Sequence, residues 1–455
     1  MSKRGADCDT RFSRRTLLAG AVASVALGIA KDGLALGRTP HGGRLSFVLP
    51  WSTRSIDPHD VLDSGAALFG AAMSDPLFVL DTSGNPVPAL AEVYPAKEAL
   101  GTVVRLREGL RTARKKPLDA RDVVASIERA RVRGAAAIFT DVPTPKTVKN
   151  DPLAIVFGAA DPHKLARALS SPVAAILPRN FDPAAPDGTG AFRADCSDKR
   201  LVLSRNPLAA RGPAFLEKIE ITKASDLATS LRQFEAERTD IGWLGLGLHN
   251  DRKGAVRFDM GRAAWIVLWV DPRIGSFGAP GTAQRLLDAI APERLSHLGL
   301  GPLPKAGAHL AWGGPPMELW VDEASAFMVE VAKTLGPILT QPGREITVVP
   351  LARSEIAKRR GKGPVGMSLE VVHAVAPGVL GAWASLLAAD DPVRAKELGK
   401  KPPRLAQHAP VRSLTHGMQL GVLGEVRVTG GIMPDVTLVR AGEGWDLGSS
   451  FRKKK

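Results

Sequence analysis

The sequence predicts an α/β protein of two lobes with a hinge and a cleft between them, and three observations predict it. Strand-like alternation and helical periodicity succeed one another along most of the 455 residues. They fall into two blocks, one opening near Arg44 and one near Met317; the second reads β-α-β-α-β, the order of a mostly parallel sheet covered by helices. A chain of about 420 residues, counted after its leading segment, is long enough for two or three cores. Ligands of such sheets sit beyond the strand ends, which here means between the lobes.

Each element has its own signal. Arg44-Leu45-Ser46-Phe47-Val48-Leu49 alternates as an opening strand, ended by Pro50-Trp51. Asp119 is a good N-cap with Asp122 at N3, and Val123, Ile127 and Ala130 recur on one face, so residues 120–132 should form an amphipathic helix. Leu153 to Phe157 reads as a strand and Pro162 to Leu169 as a helix. The alternating stretches 200–206 and 216–222 look like antiparallel partners. Ser225 is expected to cap a helix ending before the strand Thr239-Asp240-Ile241-Gly242-Trp243, which should return the chain to the first lobe.

In the second block Met317 to Val321 is strand-like. Asp322 is expected to cap a helix with Phe327, Val331 and Leu335 inward, stopped by Gly336-Pro337. Glu345 to Pro350 is the next strand, Ser354 caps a short helix, and Val365 to Val371 supplies a third strand. The Pro- and Lys-rich stretch 391–410 reads as a loop. The expected organisation is 1–37 as an export signal, 38–262 as lobe I with an inserted subdomain over about 60–180, 263–400 as lobe II, and 401–455 as a return to lobe I with a basic tail.

Ser13-Arg14-Arg15-Thr16-Leu17-Leu18 has the twin-arginine export pattern, and an apolar run continues to Ala30. That run is short and rich in Ala and Gly for a membrane span, so a cleaved signal is expected, with an uncleaved anchor as the alternative. The pattern implies the twin-arginine translocase as a partner and the periplasm as the destination. Cys8 lies in the segment expected to be removed, which leaves Cys196 alone and rules out an internal disulfide.

Charge is the compositional anomaly. The chain carries +15; without 1–37, 55 basic side chains remain against 43 acidic, a net +12. Such an excess favours anionic surfaces and weakens with salt. The basic runs at 111–116, 358–362 and 453–455 read as solvated faces or a frayed end. Nucleic acid is not expected as a partner, because no helix-turn-helix, finger or aromatic RNA-binding signature occurs.

Searches for chemistry return nothing. Gly361-Lys362-Gly363 lacks the glycine spacing and hydroxyl of a phosphate-binding loop, and Gly245-Leu246-Gly247-Leu248-His249 lacks the third glycine of a dinucleotide fingerprint. No zinc helix or nucleophile elbow occurs, and the nine histidines are scattered. No catalytic residue, metal or cofactor is expected.

Several segments, in order, carry a resemblance. They are Ile56-Asp57-Pro58-His59; Asp75-Pro76-Leu77-Phe78-Val79-Leu80-Asp81; Arg105-Leu106-Arg107-Glu108-Gly109-Leu110 with Pro117-Leu118-Asp119-Ala120-Arg121-Asp122-Val123; Gly188-Thr189-Gly190-Ala191-Phe192; and Gly301-Pro302-Leu303-Pro304. Together they resemble the family 5 (peptide/nickel-class) extracytoplasmic solute-binding proteins of ABC importers. The resemblance implies a type II periplasmic binding protein architecture, in which lobes close on a peptide-like or other small solute and deliver it to an ABC permease and its ATPases. It implies a monomer, not an enzyme.

It also places the ligand beside Trp51, Ser52, Thr53, Arg54, Gly188, Thr189, Gly190 and Trp243. Trp265 and Trp269 fall on one side of a strand and are expected in the core. The chain departs from the family in three places. Its His373-Ala374-Val375-Ala376-Pro377 lacks the acid that pairs with a peptide amino group, Thr112-Ala113-Arg114-Lys115-Lys116 replaces a Phe-x-Asp-Gly, and Tyr94 is its one tyrosine. A member that has lost transport and acts as an envelope sensor or scaffold is therefore the alternative, and an exported enzyme a third class that no catalytic constellation supports.

Overall fold

The computed structural model describes residues 41–243, 252–301, 303, 310–442 and 444–453. The expected export signal (Ser13, Arg14, Arg15, Leu17 and Leu18), the Gly245 to His249 segment, Pro302 and Pro304 lie outside the described residues. Among those described, no helix is long and apolar enough to cross a membrane.

The α/β expectation holds, and one ten-stranded sheet runs through both halves of the molecule. Its strands in chain order are β1 (Arg44–Leu49), β2 (Phe192–Cys196), β3 (Arg200–Arg205), β4 (Lys218–Lys223), β5 (Ile241–Trp243), β6 (Val256–Val270), β7 (Met317–Asp322), β8 (Ile346–Leu351), β9 (Met367–His373) and β10 (Leu420–Ile432). In space they lie in the order β8-β7-β9-β6-β10-β5-β1-β4-β3-β2. Leu45, Phe47 and Leu49 of β1 are buried, as the alternation requires, and β1 pairs in parallel with β4 and β5. β3 and β4 are the expected antiparallel partners. On the other side β7 runs parallel to β8 and β9.

The two halves meet in β6 and β10. These strands, 15 and 13 residues long, pair antiparallel from Val256–Ile432 to Trp269–Leu420. One end of β10 also bonds to β5 of the first half, and the opposite end of β6 bonds to β9 of the second. The double strand is thus the continuous backbone between lobes. Where β10 crosses β5, Gly430 lies so close that a Cβ would sit 1.9 Å from the Gly242 carbonyl oxygen.

Helices position the rest, among them α1 (Ser64–Met73), α2 (Ala120–Arg131), α3 (Leu227–Glu235), α4 (Ala326–Leu339), α5 (Arg353–Lys362), α6 (Gly378–Asp390) and α7 (Pro392–Gly399). α2 carries the expected capping box of Asp119 and Asp122 and packs on a four-stranded antiparallel sheet formed by Ala96–Glu98, Gly101–Arg105, Asp151–Val156 and Lys146–Val148. The C-terminal hairpin, Val436–Arg440 with Trp445–Arg452, lies against lobe I, where the Trp445 indole donates to the Leu68 carbonyl and meets Phe47 edge-on at 5.8 Å.

Five local expectations are corrected. Asp226, not Ser225, caps α3, accepting from the Thr229 amide. Ser325, not Asp322, caps α4, accepting from Met328. α4 runs through Pro337 to Leu339, because a proline near the end of a helix removes only one backbone bond. α5 starts at Arg353 with no side-chain cap, so Ser354 lies inside it. Part of the stretch expected as a loop is helical, since Asp391 accepts from the Val393 and Arg394 amides and Pro392 occupies the first position of α7.

Replacing Gly430 by Ala should therefore destabilise the protein by about 3 kcal/mol, the cost of forcing a methyl group into a filled space. Urea unfolding of the variant checks this; an unchanged midpoint would contradict the close crossing of β5 and β10.

Candidate functional site

Lobe I presents its strand ends to lobe II at Pro50 to Asp63. Pro50 terminates β1 by denying the ladder a donor, and the next residues cross to the start of α4. The Phe327 amide donates to the Pro50 carbonyl at 2.9 Å, and the Ser52 amide donates to the Ala324 carbonyl at 3.1 Å. Trp51 is buried and meets Trp243, at the end of β5, edge-on with ring centres 5.4 Å apart. On its other side lies Phe327 at 5.9 Å. The Trp51 Nε1 and Ser52 Oγ are buried with no hydrogen-bond partner among the described residues.

Two small cavities flank this aromatic cluster. One is lined by Trp51, Leu68, Ala264, Phe327, Val371 and Val426, and its free volume of about 20 Å³ holds roughly one water. The other lies between Trp243, Leu300 and Phe327 and reaches Glu425 and Arg427. Both Glu425 oxygens are engaged, one with Arg262 and the other with Arg427, each at 2.9 Å. Arg54 stands at the rim, half-exposed, 2.7 Å from Asp198 and 3.9 Å from Glu323. Thr53 is buried beside Gly65.

Gly188, Thr189 and Gly190 lie elsewhere. They pack against the C-terminal end of α1, whereas Ser64, at its other end, lines the first cavity. Thr189 is fully buried, and its hydroxyl donates to Asp75 at 2.9 Å. A Cβ at either glycine would come within 2.4 Å of the Met73 backbone. The glycines are there for backbone contact, and the structure does not bring them to the tryptophan pair.

Charged contacts reinforce the joint between lobes. Arg353 of α5 pairs with Asp60 at 2.8 Å and approaches Asp63 at 3.4 Å. Asp63 also caps α1 through the Ala66 amide, and burial pushes its carboxyl up despite Arg353. The neighbouring Asp57 takes both terminal nitrogens of Arg129 at 2.7 Å and Arg133 at 2.8 Å. Sequence reasoning did not single out Arg353, Asp60 or Asp63, whose only local signal is the cap that Asp63 provides. Among the described residues no group of three or more His, Cys, Asp or Glu is arranged to hold a metal.

Comparison with known proteins agrees with this architecture. Residues 85–252 match the family described as bacterial extracellular solute-binding proteins, family 5, middle. Within that segment lie Arg105 to Val123 and Gly188 to Phe192. This segment is similar to family 5.

Solved structures share the fold of the whole chain. OppA of Listeria monocytogenes, solved bound to peptide, superposes with a TM-score of 0.66 at 13% identity, covering 92% of this chain and 100% of that one. AgaA of A. tumefaciens R10, in complex with agropinic acid, gives 0.66 at 14% identity over 91% of this chain and 99% of its own. The pheromone receptor PrgZ gives 0.63 at 16% identity over 91% and 100%. No curated protein matches by sequence.

Where the family 5 resemblance implies an acid, β9 ends in His373 instead. Its amide donates to the Val61 carbonyl at 2.7 Å, and its Nδ1 is buried without a partner among the described residues. Burial pulls the imidazole down to about 4. His59 is likewise pulled down to about 4 by burial, against the opposing bond from its Nε2 to the Ala175 carbonyl. A histidine whose folded value lies below its unfolded one contributes stability above the unfolded value and loses it as pH falls toward the folded one. The protein should therefore weaken between pH 6.5 and 4. The loss between pH 7 and 4.5, read from urea unfolding, should be smaller in His373→Gln than in the wild type by about 2 kcal/mol. Equal losses would contradict a buried neutral His373.

Proposed function

We propose that this chain is the substrate-binding protein of an ABC importer, capturing a peptide-like or other small solute by closure of its lobes. The single observation that carries this reading is the cluster of Trp51, Trp243 and Phe327. Two strand ends of one lobe meet the helix start of the other there, beside two buried polar atoms without partners among the described residues. Indole faces grip apolar groups, while Trp51 Nε1 and Ser52 Oγ would supply hydrogen bonds to the solute. Trp51, Ser52, Arg54 and Trp243 are the proposed contacts, with Thr53 and the Gly188-Thr189-Gly190 turn holding the frame. The family 5 match and the fold support the transport assignment, and with it a permease and its ATPases as partners; the twin-arginine pattern from Ser13 to Leu18 is the sequence feature behind export of a periplasmic monomer.

The charge arrangement narrows the solute. Both oxygens of Glu425 are held by arginines, so a peptide ammonium group would have to compete with two guanidinium groups for this carboxylate. A solute without a free ammonium, such as an N-blocked peptide or an acidic small molecule, fits better.

A second reading has its own support. The lobes are already joined by main-chain hydrogen bonds at Pro50, Ser52 and Val61, and the cavity beside Trp51 has room for about one water. A receptor that closes without solute would serve as an envelope sensor or scaffold.

Native mass spectrometry of protein purified without unfolding separates the two. A retained small molecule is expected, and Trp51→Ala should weaken its binding about 30-fold, the loss of about 2 kcal/mol typical of a buried aromatic anchor. An empty spectrum, with no thermal shift across free and N-blocked peptides and anionic sugars, would overturn the transport reading in favour of the scaffold.

A further inference from the structure

The basic run from Arg111 to Lys116 is tied into the fold rather than left loose. Arg111 and Pro117 pair across its base, and the Thr112 amide donates to the Lys116 carbonyl at 2.9 Å. Thr112 is fully buried, donating its hydroxyl to Asp187 at 2.8 Å and accepting from the Lys116 amide at 3.2 Å. Asp187 takes the Arg114 amide on its other oxygen at 3.1 Å, and the Ala113 amide donates to the Gly188 carbonyl at 2.9 Å. The turn is thereby fixed from below, while Arg111, Arg114, Lys115 and Lys116 are exposed.

Two features set this turn apart from an ordinary solvated face. The first is the charge left over. Four cations stand within six residues, and among the described residues none of the four is held in an ion pair. Arg111 donates from Nη1 to the Lys115 carbonyl at 3.3 Å, which draws it over the turn rather than toward an acid. Asp187 is buried beneath. The flanking segments bring only Glu108, which is exposed, and Asp119, which Arg121 already grips at 2.7 Å. The second feature is Lys115 itself. Its backbone is left-handed, with φ of 65°, a conformation that glycine adopts without strain and lysine does not. A lysine at that position keeps a cation on the turn at a cost in stability.

We propose that the turn from Arg111 to Lys116 is a docking surface for an anionic lipid bilayer. Lysines and arginines held together at a protein surface are drawn to the negative face of such a bilayer, and each one within a Debye length adds to the attraction. An exposed turn suits a plane of phosphate groups, which offers anions in every direction and demands neither a groove nor a register. Nucleic acid suits it less, since no aromatic side chain lies between Leu106 and Leu118 on which a base could stack. The turn exposes no large apolar side chain either, so the contact is electrostatic and superficial, without insertion. This surface stands whether or not the chain transports a solute.

Sedimentation of the full chain with vesicles at low ionic strength tests this. Vesicles of phosphatidylglycerol mixed with phosphatidylcholine are compared with vesicles of phosphatidylcholine alone. Binding is expected only to the first and should fall steeply as salt is raised. Combining Arg114→Gln, Lys115→Asn and Lys116→Gln should weaken it about a hundredfold, at about fivefold for each cation. Combining Lys396→Gln, Lys401→Gln and Arg404→Gln removes the same charge from another exposed stretch and should leave it nearly unchanged. Lys115→Gly alone removes one cation and relieves the left-handed backbone, so it should weaken binding about fivefold with no loss in the urea midpoint. That single change keeps the test available should the triple variant fold poorly. All the variants share residues 1–40, so their differences report the turn. Equal losses in the two triple variants overturn the proposal, because binding would then follow net charge alone. Binding to both kinds of vesicle, to neither, or undiminished in folded turn variants overturns it too. So does binding to polyphosphate without binding to the vesicles, which would make the partner a soluble polyanion.

Discussion

The antiparallel pairing of β6 and β10 is the constraint on which the molecule depends. Each strand reaches from one lobe into the other, so neither lobe completes its sheet without the pair. Two strands crossing together resist sliding, because every shift of register would turn their buried residues to the opposite face. They can still bend as a unit, which is the motion a hinge needs. The irregular pairing between Asp259 and Ala264 falls within this region and interrupts the ladder locally. Lobe closure and sheet integrity are thus properties of the same pair of strands.

That constraint brings the aromatic cluster together. β5 is only three residues long, yet its pairing with β10 on one side and β1 on the other aims Trp243 at Trp51. Phe327 then arrives from α4, whose start is tied to Pro50 and Ser52 by backbone bonds. An interface of edge-on aromatic rings gains packing energy without a polar partner. Trp51 Nε1 and Ser52 Oγ stand against that background as the groups for which lobe closure supplies no acceptor. The same logic separates Trp265 and Trp269 from the site. Both are buried in β6, and their faces are covered by Arg262 at 4.7 Å and Arg360 at 4.4 Å.

What the sequence disclosed depended on how local each signal was. The cap and apolar face of α2 involve residues within one helix, and Asp119, Asp122, Val123 and Ile127 specify it without outside help. The caps of α3 and α4 were displaced by one and three residues because each has several oxygen-bearing candidates nearby, and only the backbone path selects one. α6 was not legible, since Gly381 to Ala389 are all buried and a helix covered on every side leaves no periodicity. Trp51 and Trp243 each stand out in the sequence, but their contact does not, because the two indoles meet through the pairing of β1 with β5. The Arg353 pairing with Asp60 and Asp63 joins segments nearly three hundred residues apart in sequence, and nothing in either segment announces the other.

The Gly-Thr-Gly turn shows why a motif can be read correctly as a pattern while its physical reason stays hidden. Glycines in a loop suggest a backbone that must approach something closely, and here the thing approached is the end of α1. The Gly190 amide donates to the Met73 carbonyl at 2.7 Å, and Asn206 donates to the Gly190 carbonyl at 2.9 Å. Thr189 places its hydroxyl on Asp75, so the one carboxylate shared by Arg107 and Arg211 is fixed by the same three residues. A turn that joins α1 to three other segments also decides where their charges fall. In a chain with a net charge of +15, most arginines near acids are neutralised by ion pairs, as Arg129 and Arg133 are by Asp57. Around Thr189, Asp187 holds the Thr112 hydroxyl and the Arg114 amide while Asp75 accepts from the Thr189 hydroxyl and lies 3.7 Å from Arg211, so the path of the turn and the placing of its charges are fixed by the same contacts.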